Sequence, residues 1–236
     1  VHATAPYKYR DPRFYADILY EGAYWAPRPN QYQNQDPIGI VQQEYYLFNP
    51  ENGTSSFVRN VLDWGCETLY YSRKYLIPGL DHPNYYQPIT FRYLRYTEII
   101  FNYVEACIEL EQYHEARTYL NMIRNRAGMP DVSESGDQLR QRYRNEKSVE
   151  MFAENQRFWD IRRWAIGQEA YRPTLTAEIT YIRNPDGSKG TIPTIKHIEL
   201  AENPKRKWLA SNKQYFFPIY RNEIDRNSLL VQNPGY

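Results

Sequence analysis

Arg95-Tyr-Thr-Glu-Ile-Ile-Phe-Asn-Tyr-Val-Glu-Ala106 opens the stretch that decides the fold. It continues through Asn121-Met-Ile-Arg-Asn-Arg-Ala-Gly-Met-Pro130 to Glu154-Asn-Gln-Arg-Phe-Trp-Asp-Ile-Arg-Arg-Trp164. Leu94, Thr97, Ile100, Phe101, Val104, Cys107 and Ile108 recur at the three- and four-residue spacing of one helix face. A second helix over about 113–127 carries Ala116, Tyr119, Leu120, Ile123 and Ala127. Gly128 suits the left-handed residue that stops a helix, and Pro130 just beyond cannot continue it. Residues 91–127 therefore read as a helical hairpin, one unit of a tetratricopeptide-like array. A single unit leaves one face unburied, so partners are expected from elsewhere in the protein.

Outward from the hairpin, a third helix starts near Ser135, where Ser135-x-x-Gln138 fits a capping box, and runs to about Glu154. Asn155 tolerates a left-handed turn, and a shorter helix follows over about 157–166. Residues 177–184 and 191–199 alternate in the strand manner around Asn184-Pro-Asp-Gly187, a good hairpin turn. Residues 214–219 suggest a further strand and 221–226 a helical turn. Residues 1–90 look irregular, with recurrent proline and many Asn and Gln. Within them, 14–20 reads as a short buried element and 68–77 as a strand-like run. The expected fold is mainly α: a tetratricopeptide-like hairpin plus further helices, long irregular loops and a small β-hairpin. One domain spans 1–236, loop-rich over 1–90, helical over 91–166, with the hairpin and C-terminal loops over 167–236.

Composition excludes more than it suggests. Lysine and arginine number 29 against 28 acidic residues, a net charge of +1, so nothing argues for nucleic acid or a membrane surface as partner. No apolar run approaches the roughly 18–20 residues of a spanning helix. The chain begins at Val1 without a leader, which reads as a processed product or a piece of a longer chain. The two cysteines make no disulfide framework. Cys107 reads as a buried thiol, and a bridge to Cys66 stays open for an oxidising compartment. Tyrosine is unusual at 24 residues, and its ring with one polar tip suits sugars or peptides as well as loop backbone that needs satisfying.

Few constellations could carry chemistry. Glu146 and Glu150 share a helix face, and paired carboxylates can serve a glycosidase. They sit among Arg140, Arg142, Arg144, Lys147 and Arg157, so a structural ion-pair cluster is the favoured reading, with Asp160 and Arg163 read the same way. Glu146, Glu150, Arg157 and Asp160 are all expected to be at least partly buried and paired. The four histidines lack metal-ligand spacing, and Asn184-Pro-Asp-Gly-Ser-Lys-Gly190 lacks the ligands of a calcium loop. No catalytic or cofactor-binding motif is present, so no cofactor, metal or catalytic residue is expected. The candidate ligand residues are Trp25, Tyr24, Tyr32, Arg28 and Asn30, on a loop stiffened by Pro27 and Pro29. Trp25 either stacks on a ligand ring, with Arg28 or Asn30 bonding its edge, or packs inward to anchor the loop.

In the order in which they occur, these motifs resemble the C-terminal portion of the SusD/RagB family. The resemblance runs over Asp11-Pro-Arg-Phe-Tyr15, Leu94-Arg95 to Glu98, Glu105-Ala106 and Ile123-Arg-Asn-Arg-Ala-Gly128. It continues through Glu146-Lys-Ser-Val-Glu150, with Lys147 replacing arginine, and the Glu154–Trp164 motif, with Asn155 replacing glycine. It ends with Pro218-Ile219, Glu223-Ile224 and Gln232 to Tyr236, with Tyr220 and Ser228 where proline is usual. The resemblance implies a cell-surface, outer-membrane lipoprotein of Bacteroidetes. Such a protein binds a glycan or peptide nutrient on the extracellular face and delivers it to a SusC-like TonB-dependent transporter. It also implies binding rather than catalysis, structural roles for the motif residues, and attachment through a lipid anchor on a part of the family's chain not included here. The alternatives are a glycoside hydrolase using Glu146 and Glu150, or a helical protein–protein adaptor.

Overall fold

The computed structural model describes residues 6–25, 39–58, 68–77, 88–200 and 207–236. In chain order its elements are α1 (Pro12–Asp17), β1 (Ile18–Leu19), β2 (Tyr45–Asn49), β3 (Thr54–Val58), β4 (Tyr71–Ser72), α2 (Tyr96–Glu109), α3 (Tyr113–Arg126), α4 (Gly136–Glu150), α5 (Gln156–Arg163), α6 (Gly167–Ala170), β5 (Leu175–Ile182), β6 (Thr194–Glu199) and α7 (Arg221–Arg226).

The hairpin of α2 and α3 forms as its periodicity demands. Phe101, Val104, Cys107 and Ile108 of α2 meet Ala116, Leu120 and Ile123 of α3, and Leu139 and Tyr143 of α4 complete this core. Cys107 is a free, buried thiol, and Cys66 lies outside the described residues. Leu94 does not belong to the face assigned to it: it precedes α2 and is 63% exposed. Gly128 has φ +73°, and the Met129 N–H returns to Arg124 O at 2.9 Å to close the last turn of α3.

Ser135 stands at the N-cap of α4, but the expected capping box does not close. Its hydroxyl instead accepts from Arg117 at 2.9 Å. The helix stops at Glu150, short of residue 154, because Ala153 and Asn155 both take φ +59° and turn the chain into α5.

The β structure is more extensive than a hairpin. β5 and β6 pair antiparallel as expected, and Gly187, at φ +84°, shapes their connection. β2 then lies parallel to β5, and β3 antiparallel to β2, in a mixed sheet of order β3-β2-β5-β6. β2 and β3 fall in the stretch read as irregular. Their signal is weak because β3 is polar and mostly exposed, and β2 buries only Leu47. Leu47, Leu69, Ala177, Ile179 and Tyr181 form the second core, against this sheet. The reading of a mainly helical chain is thus corrected to a helical body accompanied by a mixed sheet. Residues 14–20 split between α1 and β1, and 68–77 supply only the short β4, which pairs with β1. Residues 213–215 make a 3-10 turn where a strand was expected over 214–219, while α7 forms where the helical turn was read.

Gly167 shows how tightly the C-terminal segment closes on α6. A Cβ there would lie 2.0 Å from Cε2 of the buried Trp208. Its N–H also donates to the Tyr215 hydroxyl at 2.9 Å. Gly167→Ala is expected to displace Trp208 and destabilise the fold by about 1–3 kcal/mol, the usual range for overpacking. Thermal melts and tryptophan fluorescence check this; an unchanged melt and spectrum would show that Trp208 has room to shift.

Candidate functional site

The candidate ligand loop is entered from a fixed point. Glu21 is buried, and its carboxylate accepts from the Gln43 N–H at 2.6 Å and the Tyr181 hydroxyl at 2.8 Å. Lys189 Nζ stands 3.7 Å away as counter-charge. Gly22, at φ +81°, turns the chain, and its N–H donates to Val41 O. Tyr24 then bridges Ile40 in antiparallel fashion, and the Trp25 N–H donates to Gly39 O at 2.8 Å. The two ends of the segment between Trp25 and Gly39 are therefore fastened together and to the sheet.

Of the five residues singled out, two are described. Tyr24 is 59% exposed. Trp25 is half-buried, with the Arg73 guanidinium 5.4 Å from its ring centroid. Arg73 is itself held by Tyr15 O at 3.2 Å. Arg28, Asn30 and Tyr32 lie outside the described residues.

Glu146 and Glu150 are engaged in structural ion pairs. Arg13 Nη1 lies 2.6 Å from Glu146 Oε1 and 2.9 Å from Glu150 Oε2, bridging the pair. Arg124 pairs with the other oxygen of Glu146. Arg126 and Arg95 both reach Glu150 Oε1. Arg95 also bonds Glu154 Oε2, and Lys74 bonds Glu154 Oε1, each at 2.7 Å. Burial alone would raise the pKa of Glu150, yet hydrogen bonds from Arg13 and Arg95 and the charge of Arg126 hold it below the usual range. A glycosidase acid needs the opposite shift. A hollow of about 320 Å³ opens beside this cluster, but Arg13, Lys74, Arg95 and Arg126 in its wall already hold carboxylates.

A second network ties α5 to α2 and α4. Lys147 meets Asp160 at 2.8 Å, and Arg163 reaches Asp160 at 3.2 Å. Glu105 accepts from Arg163, Tyr143 and the Trp164 indole at 2.6–2.8 Å. Burial opposes ionisation of Glu105, but these donors, led by Arg163, outweigh it and draw its pKa down to about 2. The expected pairing fails at Arg157 and Arg144, which are half-buried but have no ion pair among the described residues, and Arg140 and Arg142 pair outside the cluster, with Glu109 and Glu134. Sequence reasoning missed Glu21 and most of the arginine partners, because they come from positions far from α4 in the chain.

Glu146→Ala is expected to cost about 3–5 kcal/mol, since Arg124 would be left with an unanswered buried charge and Arg13 would keep only Asp11 and Glu150. Denaturant unfolding measures it, and a loss below about 1 kcal/mol, the level of an exposed pair, would show the cluster to be loose. Acid should act through Glu105. A carboxylate with a depressed folded pKa stabilises the fold above its unfolded value and loses that contribution as pH falls through the folded one. The window runs from the ordinary 4.5 down to about 2, and Glu150 and Glu154 shift in the same direction. Glu105→Gln is expected to flatten the melting-temperature curve in that window; an unaltered acid limb would exclude Glu105 as a source.

Among the described residues, no helix is long and apolar enough to cross a membrane, and no group of three or more His, Cys, Asp or Glu could hold a metal ion. A family model described as the SusD family matches residues 2–236. SusD-like protein P2 of Formosa agariphila is 28% identical over 154 residues, covering 61% of this chain and 25% of that protein. A SusD-like protein from Bacteroides fragilis matches with a TM-score of 0.70 and 30% identity, over 98% of this chain and 39% of that one. Surface glycan-binding protein A from Bacteroides thetaiotaomicron, solved in complex with laminarihexaose, has a similar fold, with a TM-score of 0.50 and 19% identity over 98% of this chain and 39% of that one. The chain spans between 25% and 39% of the length of these relatives. With the family model matched from residue 2 to the last residue, this chain belongs to the SusD family.

Proposed function

We propose that this chain is the C-terminal part of an outer-membrane, cell-surface lipoprotein. It binds a glycan without transforming it and passes it to a SusC-like TonB-dependent transporter. The observation that carries the binding role is the pair Tyr24 and Trp25, held at the mouth of a loop whose ends are clamped to the sheet. Rings on a fixed backbone can stack on a sugar at little cost in conformational entropy. Arg28, Asn30 and Tyr32, which lie outside the described residues, are assigned to the proposed site by their place in the sequence, with Arg28 or Asn30 for the sugar's edge. Family membership supports the reading, as does a relative of the same fold crystallised with laminarihexaose. A glycan is favoured over a peptide on this ground. The hydrolase alternative is disfavoured because Glu146 and Glu150 are consumed in ion pairs.

The same reading gives the hairpin a role. The outer side of α2 exposes Tyr96, Ile99 and Tyr103, spaced as one helix stripe. This supports α2 and α3 as a tetratricopeptide-like unit that packs on helices in another part of the protein.

Trp25→Ala in the intact protein is expected to weaken binding of a neutral oligosaccharide about tenfold, the loss of one stacking contact, with the melting temperature nearly unchanged. If the variant instead loses about 3–5 kcal/mol of stability, as a buried tryptophan would, Trp25 anchors the core and the site lies elsewhere.

A further inference from the structure

Among the described residues, two half-buried arginines are left without an acceptor. Among the described residues, every other arginine that is buried or half-buried donates at least one hydrogen bond. Arg13, Arg95, Arg124 and Arg140 bond carboxylates, Arg73, Arg117 and Arg162 bond carbonyls, and Arg183 bonds a hydroxyl. Arg144 and Arg157 are half-buried and donate none, and the Arg144 Nε is fully buried without a partner. Arg144 rests 5.2 Å from the Trp164 ring centroid, which occupies one face of its guanidinium but none of its N–H groups.

The two face one half-open hollow of about 310 Å³ between α4, the start of α5 and the α6 segment. Arg172 adds a third cation to its wall, and Asn145 and Ser148 add an amide and a hydroxyl. The one carboxylate in the wall, Glu169, is exposed and makes no ion pair among the described residues. Asp160, three residues after Arg157, is occupied by Lys147 at 2.8 Å and Arg163 at 3.2 Å. Burial and the like charge of Arg144 both work against the Arg157 guanidinium, and Asp160 offsets this only in part. Two adjacent, partly dehydrated guanidinium groups are costly unless an anion stands between them. Their planar donor forks suit a carboxylate or sulfate, which each can bind in a bidentate way. The hollow is too large for an ion alone and matches one sugar unit, near the lower end of ligand-site volumes.

We propose that this hollow is a second ligand subsite, which takes an oxyanion-bearing sugar, a uronate or a sulfated unit, with Arg144 and Arg157 on the acidic group and Asn145 and Ser148 on the ring hydroxyls. The inference rests on the glycan-binding reading and adds an acidic class of ligand to it. It also gives the unpaired Arg157 a role that packing does not.

Calorimetric titration of the intact protein tests this with four probes: laminarihexaose, an oligogalacturonate, a sulfated galactan oligosaccharide and inorganic sulfate. Either acidic oligosaccharide is expected to bind in a salt-sensitive manner, and the one that binds identifies the source of the oxyanion. Arg157→Gln and Arg144→Gln should each weaken it about tenfold or more, the loss of a charge-assisted hydrogen bond, while laminarihexaose affinity stays the same. Arg157→Lys keeps the charge but not the fork, and should recover only part of the loss. Melting temperatures establish that each variant is folded. If laminarihexaose binds but neither acidic sugar does, or if acidic sugars bind equally to both glutamine variants, the subsite is refuted and the glycan reading stands. If inorganic sulfate binds at Arg157 while no sugar does, both the sugar subsite and the glycan reading fall. A structure of the intact protein with one of its own carboxylates in the hollow would also refute the subsite.

Discussion

Glu146 and Glu150, one turn apart on α4, organise the helical body. Two buried carboxylates this close would repel strongly, and each would carry a large dehydration cost if left alone. Arg13 from α1 bridges them, while Arg95 at the start of α2, and Arg124 and Arg126 from the end of α3, take the remaining oxygens. Four segments distant in the chain are thereby brought to one place. The geometry is strict because forked guanidinium groups accept few orientations of a carboxylate. Moving any one of these segments would strand a charge, so the cluster selects one packing arrangement even where its net energy is modest.

That arrangement also aims the candidate site. α1 leads directly into β1, which pairs with β4, and then to Glu21, where the chain is bonded to Gln43 and Tyr181. The ion-pair cluster thus fixes one end of this path and Glu21 the other. Between them lies an aromatic group of Tyr7, Phe14, Tyr15, Tyr20 and Tyr70 with ring centroids 4.5–6.5 Å apart. Its tyrosines can pack in a region without regular structure because their hydroxyls remain usable: the Tyr15 hydroxyl donates to Tyr7 O at 2.6 Å. Part of the unusual tyrosine content serves this purpose, as do the Tyr215 hydroxyl, which accepts from the Gly167 N–H at the start of α6, and the Tyr236 hydroxyl, which donates to Phe216 O.

What could be read from the sequence follows from how local each signal is. α2, α3, the β5–β6 hairpin, the stop at Gly128 and the left-handed Asn155 are written in spacing and residue type, and all were legible. β2 and β3 were not, because β2 is held by pairing with β5, more than a hundred residues away, and β3 is held by β2, rather than by alternation of their own. The capping box at Ser135 failed for a related reason: a distant arginine claimed the hydroxyl. Sequence chemistry marked Glu146 and Glu150 as ion-paired, yet it could not supply Arg13 or Arg95, whose proximity exists only after folding. Of the candidate site, the sequence offers an aromatic, proline-containing stretch, of which only Tyr24 and Trp25 lie among the described residues. Its clamp by Glu21 and the Tyr24–Ile40 bridge was not legible.

α4 shows most clearly why polarity alone misleads here. Its buried stripe is Leu139, Tyr143, Glu146, Lys147 and Glu150, spaced as a core-facing stripe should be, yet its second half is charged. A search for apolar periodicity finds the first half and loses the second. The same helix turns Arg144, Asn145 and Ser148 toward the hollow. One face therefore carries charges that the fold has already neutralised, and another carries charge that it has not. The two look alike in sequence, since both are charged side chains on a polar helix. They differ in whether a partner arrives from elsewhere in the chain, and it is the unanswered charge, not the abundance of charge, that points to a ligand.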